Sequence, residues 1–380
     1  MDFAMLAVIV LAGLVGPLLA YPQGWHVPVV VGELFVGIIL GKTGLGYLDA
    51  SNTTFSFLAE VGFGLVMFVV GTHVPVRDHN LQRSLGLGTA RAVLVGAGSA
   101  VLGVLVAAAF GTGHAALYAV LMASSSAALI LPIIDSLELR GEQVLQLLPQ
   151  VAIADAACIV ALPLAIDPVH VGRAGLGALL VIATGAALFG VLRFLERKGY
   201  RHRLHHVSEE RHFALELRIS LVILFSLSAV AGRSHVSVML AGFVFGLAVS
   251  AVGEPRRLAR QLFAVSEGFF APLFFVWLGA SLDLRALGAR PTLILLGLLL
   301  GGGALLSHSL TRLTGAPLSL SALAAAQLGV PVAAAALGTS LNVLEPGESA
   351  ALILGALVTI AVATIAGGSA ARKQRASSPG

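Results

Sequence analysis

The chain has 380 residues, 57% of them apolar and only 11% charged, against roughly 25% charged in a soluble domain. With a mean hydropathy of +0.95, this excludes a soluble globular protein and describes a polytopic membrane protein. The net charge of +4 is too small for a nucleic-acid footprint, and the single cysteine, Cys158, excludes an internal disulfide framework and any multi-cysteine metal site.

A helix that crosses a bilayer needs about 20 apolar residues. Thirteen stretches qualify, in chain order 3–20, 27–41, 55–73, 86–112, 114–136, 146–167, 171–194, 214–232, 234–252, 262–283, 291–312, 319–340 and 347–370. They are too long and too continuous for alternating barrel strands. The first lacks a basic leading segment and a small-residue cleavage site, so it reads as a retained helix rather than a signal peptide. The expected fold is therefore all-α and polytopic, a single transmembrane domain over 1–370 followed by a short tail, 371–380.

Thirteen spans put the termini on opposite sides. Sorting Lys and Arg by alternate connections places 17 on the side of the C-terminus and 5 on the other, with Arg91 inside the fourth span. By the positive-inside rule the N-terminus is expected outside and the C-terminus in the cytoplasm, across a cell's inner (plasma) membrane. The longest connection, about 195–213, reads as a solvated cytoplasmic loop, and its His205-His206 pair as loop residues rather than a metal site. There is no phosphate-binding loop of the Walker type and no G-x-G-x-x-G on a strand–helix unit. Direct ATP coupling, a cofactor and enzymatic activity are not expected, and neither is a nucleic-acid partner.

Ionisable groups at membrane depth are costly, which makes them functional candidates. Asp155 is the most central, about nine residues into the sixth span, which carries no Lys or Arg. Desolvation disfavours its charge, so a proton and a cation compete for it, which is the minimal chemistry of an antiporter. Glu33, Glu60 and Glu267 lie nearer span ends or beside glycine and read as helix contacts or interfacial groups. Arg91 is expected to snorkel or to pair with an acid.

Two spans carry helix-breaking residues. The fifth contains MASSSAALILPIID, with Ser125 and Ser126 before Pro132; the twelfth contains AAAQLGVPVAAAALG, with Gln327, Gly329 and Pro331. Irregular backbone at this depth requires surrounding protein or a water-filled cavity. Interruptions at corresponding positions of two halves point to inverted repeats with broken helices. Proline kinks, with serines bonded to their own helix, account for the same spacing.

In these residues the chain resembles the monovalent cation:proton antiporter-2 family, within the sodium/proton exchanger superfamily. The resemblance covers about residues 25–365. VPVVVGELFVGIILGKTGLG, FLAEVGFGLVMFVVGTHV, ASSSAALILPII, SHVSVMLAGFVFGLAVS and, most specifically, EGFFAPLFFVWLGASLDL are similar to successive family blocks. The resemblance implies inverted repeats in which the fifth and twelfth spans cross at their breaks. Core helices over about 86–167 and 291–370 would bind the ion, and the remaining helices would form scaffold and dimer interface. It implies that Asp155 binds the proton or cation with Ser125 and Ser126 as neutral oxygen ligands, while Gln327, Gly329, Pro132 and Pro331 support the crossing. It also implies a homodimer in the lipid bilayer.

The chain departs from the family pattern at several points. Ala154 stands where electrogenic members have a second acid, and glycine near Gly303 stands where many have an eleventh-span Lys. Gly41-Lys42 and Gly71-Thr72-His73 replace two further motifs. The nucleotide-sensing domain of the potassium efflux members is not found in the chain. The expected function is secondary antiport of Na⁺ or K⁺ against H⁺ by alternating access, electroneutral because one carboxylate serves both ions. A cation channel, or a binding or sensory membrane protein without transport, are the alternatives.

Overall fold

The computed structural model describes all residues except 22–28, 73–78, 168–170, 199–214, 234–236, 254–255 and 378–380. His205 and His206, most of the 195–213 connection, and His73 thus lie outside the described residues. Every regular element among the described residues is helical, as a chain surrounded by lipid requires when its backbone must satisfy itself.

The elements are α1 (Phe3–Gly13), α2 (Val15–Ala20), α3 (Val29–Leu40), α4 (Thr53–Thr72), α5 (His79–Phe110), α6 (Ala115–Ala123), α7 (Ala127–Ser136), α8 (Glu142–Ile166) and α9 (Val171–Arg197). They continue as α10 (Leu215–Arg233), α11 (Val238–Val252), α12 (Arg256–Val265), α13 (Ala271–Ser281), α14 (Leu284–Ala289), α15 (Pro291–Ser309), α16 (Leu318–Ala324), α17 (Gly329–Ser340) and α18 (Glu348–Ser377). A π-helical turn, Ser266–Phe270, joins α12 to α13, and a 3₁₀ turn, Leu310–Thr314, follows α15.

Among the described residues, nine helical stretches are long and apolar enough to cross a membrane, and three shorter apolar ones accompany them. The half-helices α6 and α7 complete the set, so the chain is a multi-pass membrane protein of about thirteen spans. Val93, Val101, Val104 and Leu105 on α5, and Leu176, Leu179, Leu180 and Val191 on α9, are exposed, as suits helices that face lipid.

The chain divides into two compact units. The first comprises 1–22, 29–77 and 170–281, the second 23–28, 78–169 and 282–380. In the first, α3 packs on α13 and α4 on α11. Both contacts are made by glycine. A Cβ at Gly37 would collide with the Val276 carbonyl and one at Gly279 with the Leu34 carbonyl. Likewise Gly71 lies against the Phe243 carbonyl and Gly246 against that of Phe68. Small residues let the backbones approach to this degree. The pairing also reveals symmetry: the second span packs on the tenth and the third on the ninth. A shift of seven spans exchanges these two pairs, and an odd shift reverses direction in the membrane, so the repeats are inverted.

In the second unit the same shift relates α5 with α8 to α15 with α18, the fourth span on the sixth and the eleventh on the thirteenth. Glu348, buried at the start of α18, ties that helix to α6. Its Oε1 accepts from the Tyr118 hydroxyl at 2.8 Å and lies 2.8 Å from His114 Nδ1. Its Oε2 accepts the Glu345 amide at 3.0 Å. A buried carboxylate needs such donors to offset its desolvation.

Candidate ion-binding site

The fifth span is a helix in two halves because the serines satisfy the freed ends locally. Ser124 turns extended (φ −70, ψ 152), and its hydroxyl donates to the Leu121 carbonyl at 2.8 Å, answering an orphan acceptor at the end of α6. The Ser126 carbonyl accepts the amides of Leu129 and Ile130, at 3.1 and 3.0 Å, and so begins α7. In the twelfth span, residues 325–328 separate α16 from α17. Gly329 opens α17, and Pro331 stands at its third position, where an amide has no intrahelical acceptor and its loss costs nothing.

The two breaks meet. Ser125 Oγ donates to the carbonyl of Ala324, the last residue of α16, at 2.7 Å. His308 Nε2, from α15, lies 3.2 Å from the same Oγ. The Gln327 amide donates to Thr359 Oγ1 of α18 at 3.2 Å, which fixes the second break to the last helix.

Asp155, on α8, completes the arrangement. Its Oδ2 accepts the amide of Ala127, the first residue of α7, at 3.1 Å. Asp155 is 2% exposed, Ser125 1%, and His308 not at all. A carboxylate held this way is steadied by the positive end of a half-helix and by one charge-assisted hydrogen bond. The negative end of α16, at Ala324, is held by Ser125. Half-helix ends from both breaks and a carboxylate bonded to one of them thus lie together at the crossing.

Buried polar atoms gather in the same unit. Gln327 Nε2, both amide atoms of Gln150 and Ser307 Oγ have no partner among the described residues, a number that calls for water or a ligand.

Of the residues expected at the site, Asp155, Ser125 and Ser126 lie at the first break or bonded to it, and Gln327, Gly329 and Pro331 at the second. Pro132 is the sixth residue of α7, and its side chain lies outside the described set. A residue not among those expected at the site, His308 of α15, also reaches the crossing. Its polar character on an apolar helix was the only available signal.

Arg91 requires a correction. Among the described residues it meets no acid: it is buried, its Nε donates to Thr314 Oγ1 at 2.9 Å, and its Nη2 donates to the Thr314 carbonyl and to Gln146 Oε1. Neutral oxygens at the end of the 3₁₀ turn replace the expected carboxylate. At Gly303 an added Cβ would meet the thioether end of Met122, from α6, so any side chain there requires that methionine to move. Glu33, Glu60 and Glu267 belong to the first unit; Glu33 is buried, and the other two are exposed.

The family model for the transmembrane sodium/hydrogen exchanger matches residues 6–373. YjbQ of Bacillus subtilis is 24% identical over 381 residues, covering 93% of this chain and 61% of its own length. The chain thus spans about three fifths of that relative. The Na⁺/H⁺-K⁺ antiporter GerN of Bacillus cereus is 22% identical over 271 residues, covering 70% of this chain and 69% of its own. Among solved structures, the sodium proton antiporter MjNhaP1 of Methanocaldococcus jannaschii superposes with a TM-score of 0.68 at 18% identity, covering 98% of this chain and 99% of that one, so the two share a fold. With breaks that meet, a buried aspartate on a half-helix end and a family match over almost its whole length, the chain belongs to the transmembrane sodium/hydrogen exchanger family.

Proposed function

We propose that the protein is a secondary antiporter that exchanges a monovalent cation, Na⁺ or K⁺, for H⁺ by alternating access. The observation that carries this reading is the bond between Asp155 and the Ala127 amide: the one buried acid beside the crossing sits on a half-helix end. A proton or a cation neutralises it, but not both together. Ser125, Ser126 and the carbonyls of the broken helices supply neutral oxygens, which suit hard cations. The second unit, which holds the crossing, is the ion-binding part; the first unit is the scaffold and the homodimer surface. The N-terminus faces outward and the C-terminus the cytoplasm of a plasma membrane, and the cycle uses neither ATP nor enzymatic chemistry.

Ser125→Ala and Ser126→Ala, made singly, remove a hydroxyl without adding atoms to these buried positions. Each is expected to raise the half-saturating cation concentration by roughly three- to tenfold, the worth of one hydrogen-bond-sized contact, with folding preserved. Initial rates in proteoliposomes over a range of Na⁺ and K⁺ check this; unchanged half-saturation in both variants assigns the serines to packing alone.

With Ala154 before Asp155 and no side chain at Gly303, one carboxylate serves both ions. Exchange is then one for one and electroneutral. The rate of Na⁺/H⁺ exchange is expected to be the same with and without an imposed potassium–valinomycin potential. A potential-dependent rate, or a transport current, requires a second charge carrier.

A further inference from the structure

The crossing contains three polar contacts joined in a row: His308 Nδ1 to the Ala304 carbonyl at 2.9 Å, His308 Nε2 to Ser125 Oγ at 3.2 Å, and Ser125 Oγ to the Ala324 carbonyl at 2.7 Å. Carbonyl oxygens only accept. Nδ1 must therefore carry its proton, and Ser125 must give its proton to Ala324 to make the shortest of the three. A neutral imidazole and a hydroxyl have two protons between them for three contacts. With both carbonyls served, Nε2 and Oγ face each other as two acceptors. The Ser125 proton has a second place to go, and among the described residues His308 provides it.

We infer that neutral His308 is a positioning residue for the cation, one whose Nε2 accepts the Ser125 hydroxyl hydrogen bond when the ion binds. With the site free of cation, the hydroxyl points to the Ala324 carbonyl. When a cation arrives, the hydroxyl rotates about its C–O bond toward Nε2. That turn frees the Ala324 carbonyl, at the negative end of α16, and directs the lone pairs of Ser125 Oγ toward the ion. No covalent bond breaks: the proton stays on Oγ and exchanges one acceptor for another, so the charge of the site is unaltered and the one-for-one exchange is kept. Without an acceptor at the Nε2 position the hydroxyl keeps donating to the Ala324 carbonyl, and the ion loses one ligand and meets a second turned the wrong way.

The surroundings leave this role to His308. Among the described residues no carboxylate bonds the ring. Of the ionisable groups on the helices packed against α15, Arg91 of α5 is held by Thr314 and Gln146, and Tyr118 of α6 and Glu348 of α18 bond each other. The other charges of α18, Arg372, Lys373 and Arg375, are at its far end, His79 and Arg83 are in the first turns of α5, Arg285 of α14 and Arg312 of the 3₁₀ turn are exposed, and α16 has none. Asp155 reaches the crossing through the Ala127 amide, two residues from Ser125.

The inference rests on the crossing being the cation site, and its test separates the two. The full chain, labelled with ¹⁵N-histidine and held in lipid vesicles, is titrated with NaCl or KCl against choline chloride, and the His308 resonances are assigned by difference with His308→Gln. The expected result is a neutral ring protonated on Nδ1 throughout, with an Nε2 resonance that moves to its hydrogen-bonded position as Na⁺ or K⁺ is added. It should not move in Ser125→Ala. An Nε2 resonance that ignores the cation, or a doubly protonated ring, overturns the inference whether or not exchange occurs; a cation-dependent shift in a protein that exchanges nothing would instead overturn the transport reading. In transport, His308→Leu is expected to raise half-saturation about tenfold, and His308→Gln, whose Oε1 can accept, to restore most of it. In a Ser125→Ala background the two variants should be equal, because the proton they place is gone. A purely structural histidine would give the same penalty in both backgrounds.

Discussion

Asp155→Asn is expected to abolish cation-driven proton movement while leaving the protein folded. Asparagine keeps the shape of the side chain and an oxygen to accept the Ala127 amide, so the bond between α8 and α7 survives. What it loses is the ability to carry a charge and to take and release a proton. The expected fall is to the background of protein-free vesicles, because, among the described residues, the other buried acid of the second unit, Glu348, is occupied by Tyr118, His114 and the Glu345 amide. Chromatographic monodispersity and melting temperature show whether the fold persists. Near-normal exchange in a folded Asp155→Asn protein would sink the mechanism.

The second large effect concerns packing. Gly279→Val places a branched side chain where the Leu34 carbonyl and the backbone of Gly37 already stand. Neither obstacle is a flexible side chain, so α3 and α13 must separate. Overpacking of this kind costs about 3 kcal/mol or more, and the same is expected of Gly246→Val, against the Phe68 carbonyl on the other symmetric contact. Gly302→Ala is the control: it lies within α15 with open space around its Cα, and alanine there is neutral or stabilising by up to about 1 kcal/mol. Thermal unfolding in one detergent compares all three. A Gly279→Val protein that melts with the wild type would show that the helices are not held by backbone proximity.

The spans were legible because hydropathy is a one-dimensional property: thirteen apolar runs gave thirteen segments at nearly the same positions. The interruptions were legible too, since consecutive serines and a Gln-x-Gly-x-Pro run can only weaken a helix. Which atoms meet at the breaks was not. The Ala324 carbonyl is backbone, and nothing in its residue type marks it as the acceptor of Ser125. His308 is one histidine on an apolar helix, and its approach to Ser125 depends on the rotation of α15, to which apolar periodicity is blind when every face of the helix is apolar. Arg91 misled for a similar reason: an arginine in a membrane suggests a carboxylate, but a 3₁₀ turn supplied a hydroxyl and a carbonyl. The glycines at 37 and 279 announced close packing without naming each other, and only the sevenfold shift of spans shows that they belong to one contact.

The central claim, exchange of a monovalent cation for protons, is tested most directly by purified protein in liposomes with a pH reporter inside, offered Na⁺, K⁺ and Li⁺ in turn. The account predicts that an outward cation gradient draws protons in, and that the lumen acidifies with at least one of Na⁺ and K⁺, without an imposed potential and unchanged when the membrane is clamped at zero volts. Cation flux that collapses a potential while the internal pH stays constant, or no cation-dependent pH change with any of the three salts, would contradict it.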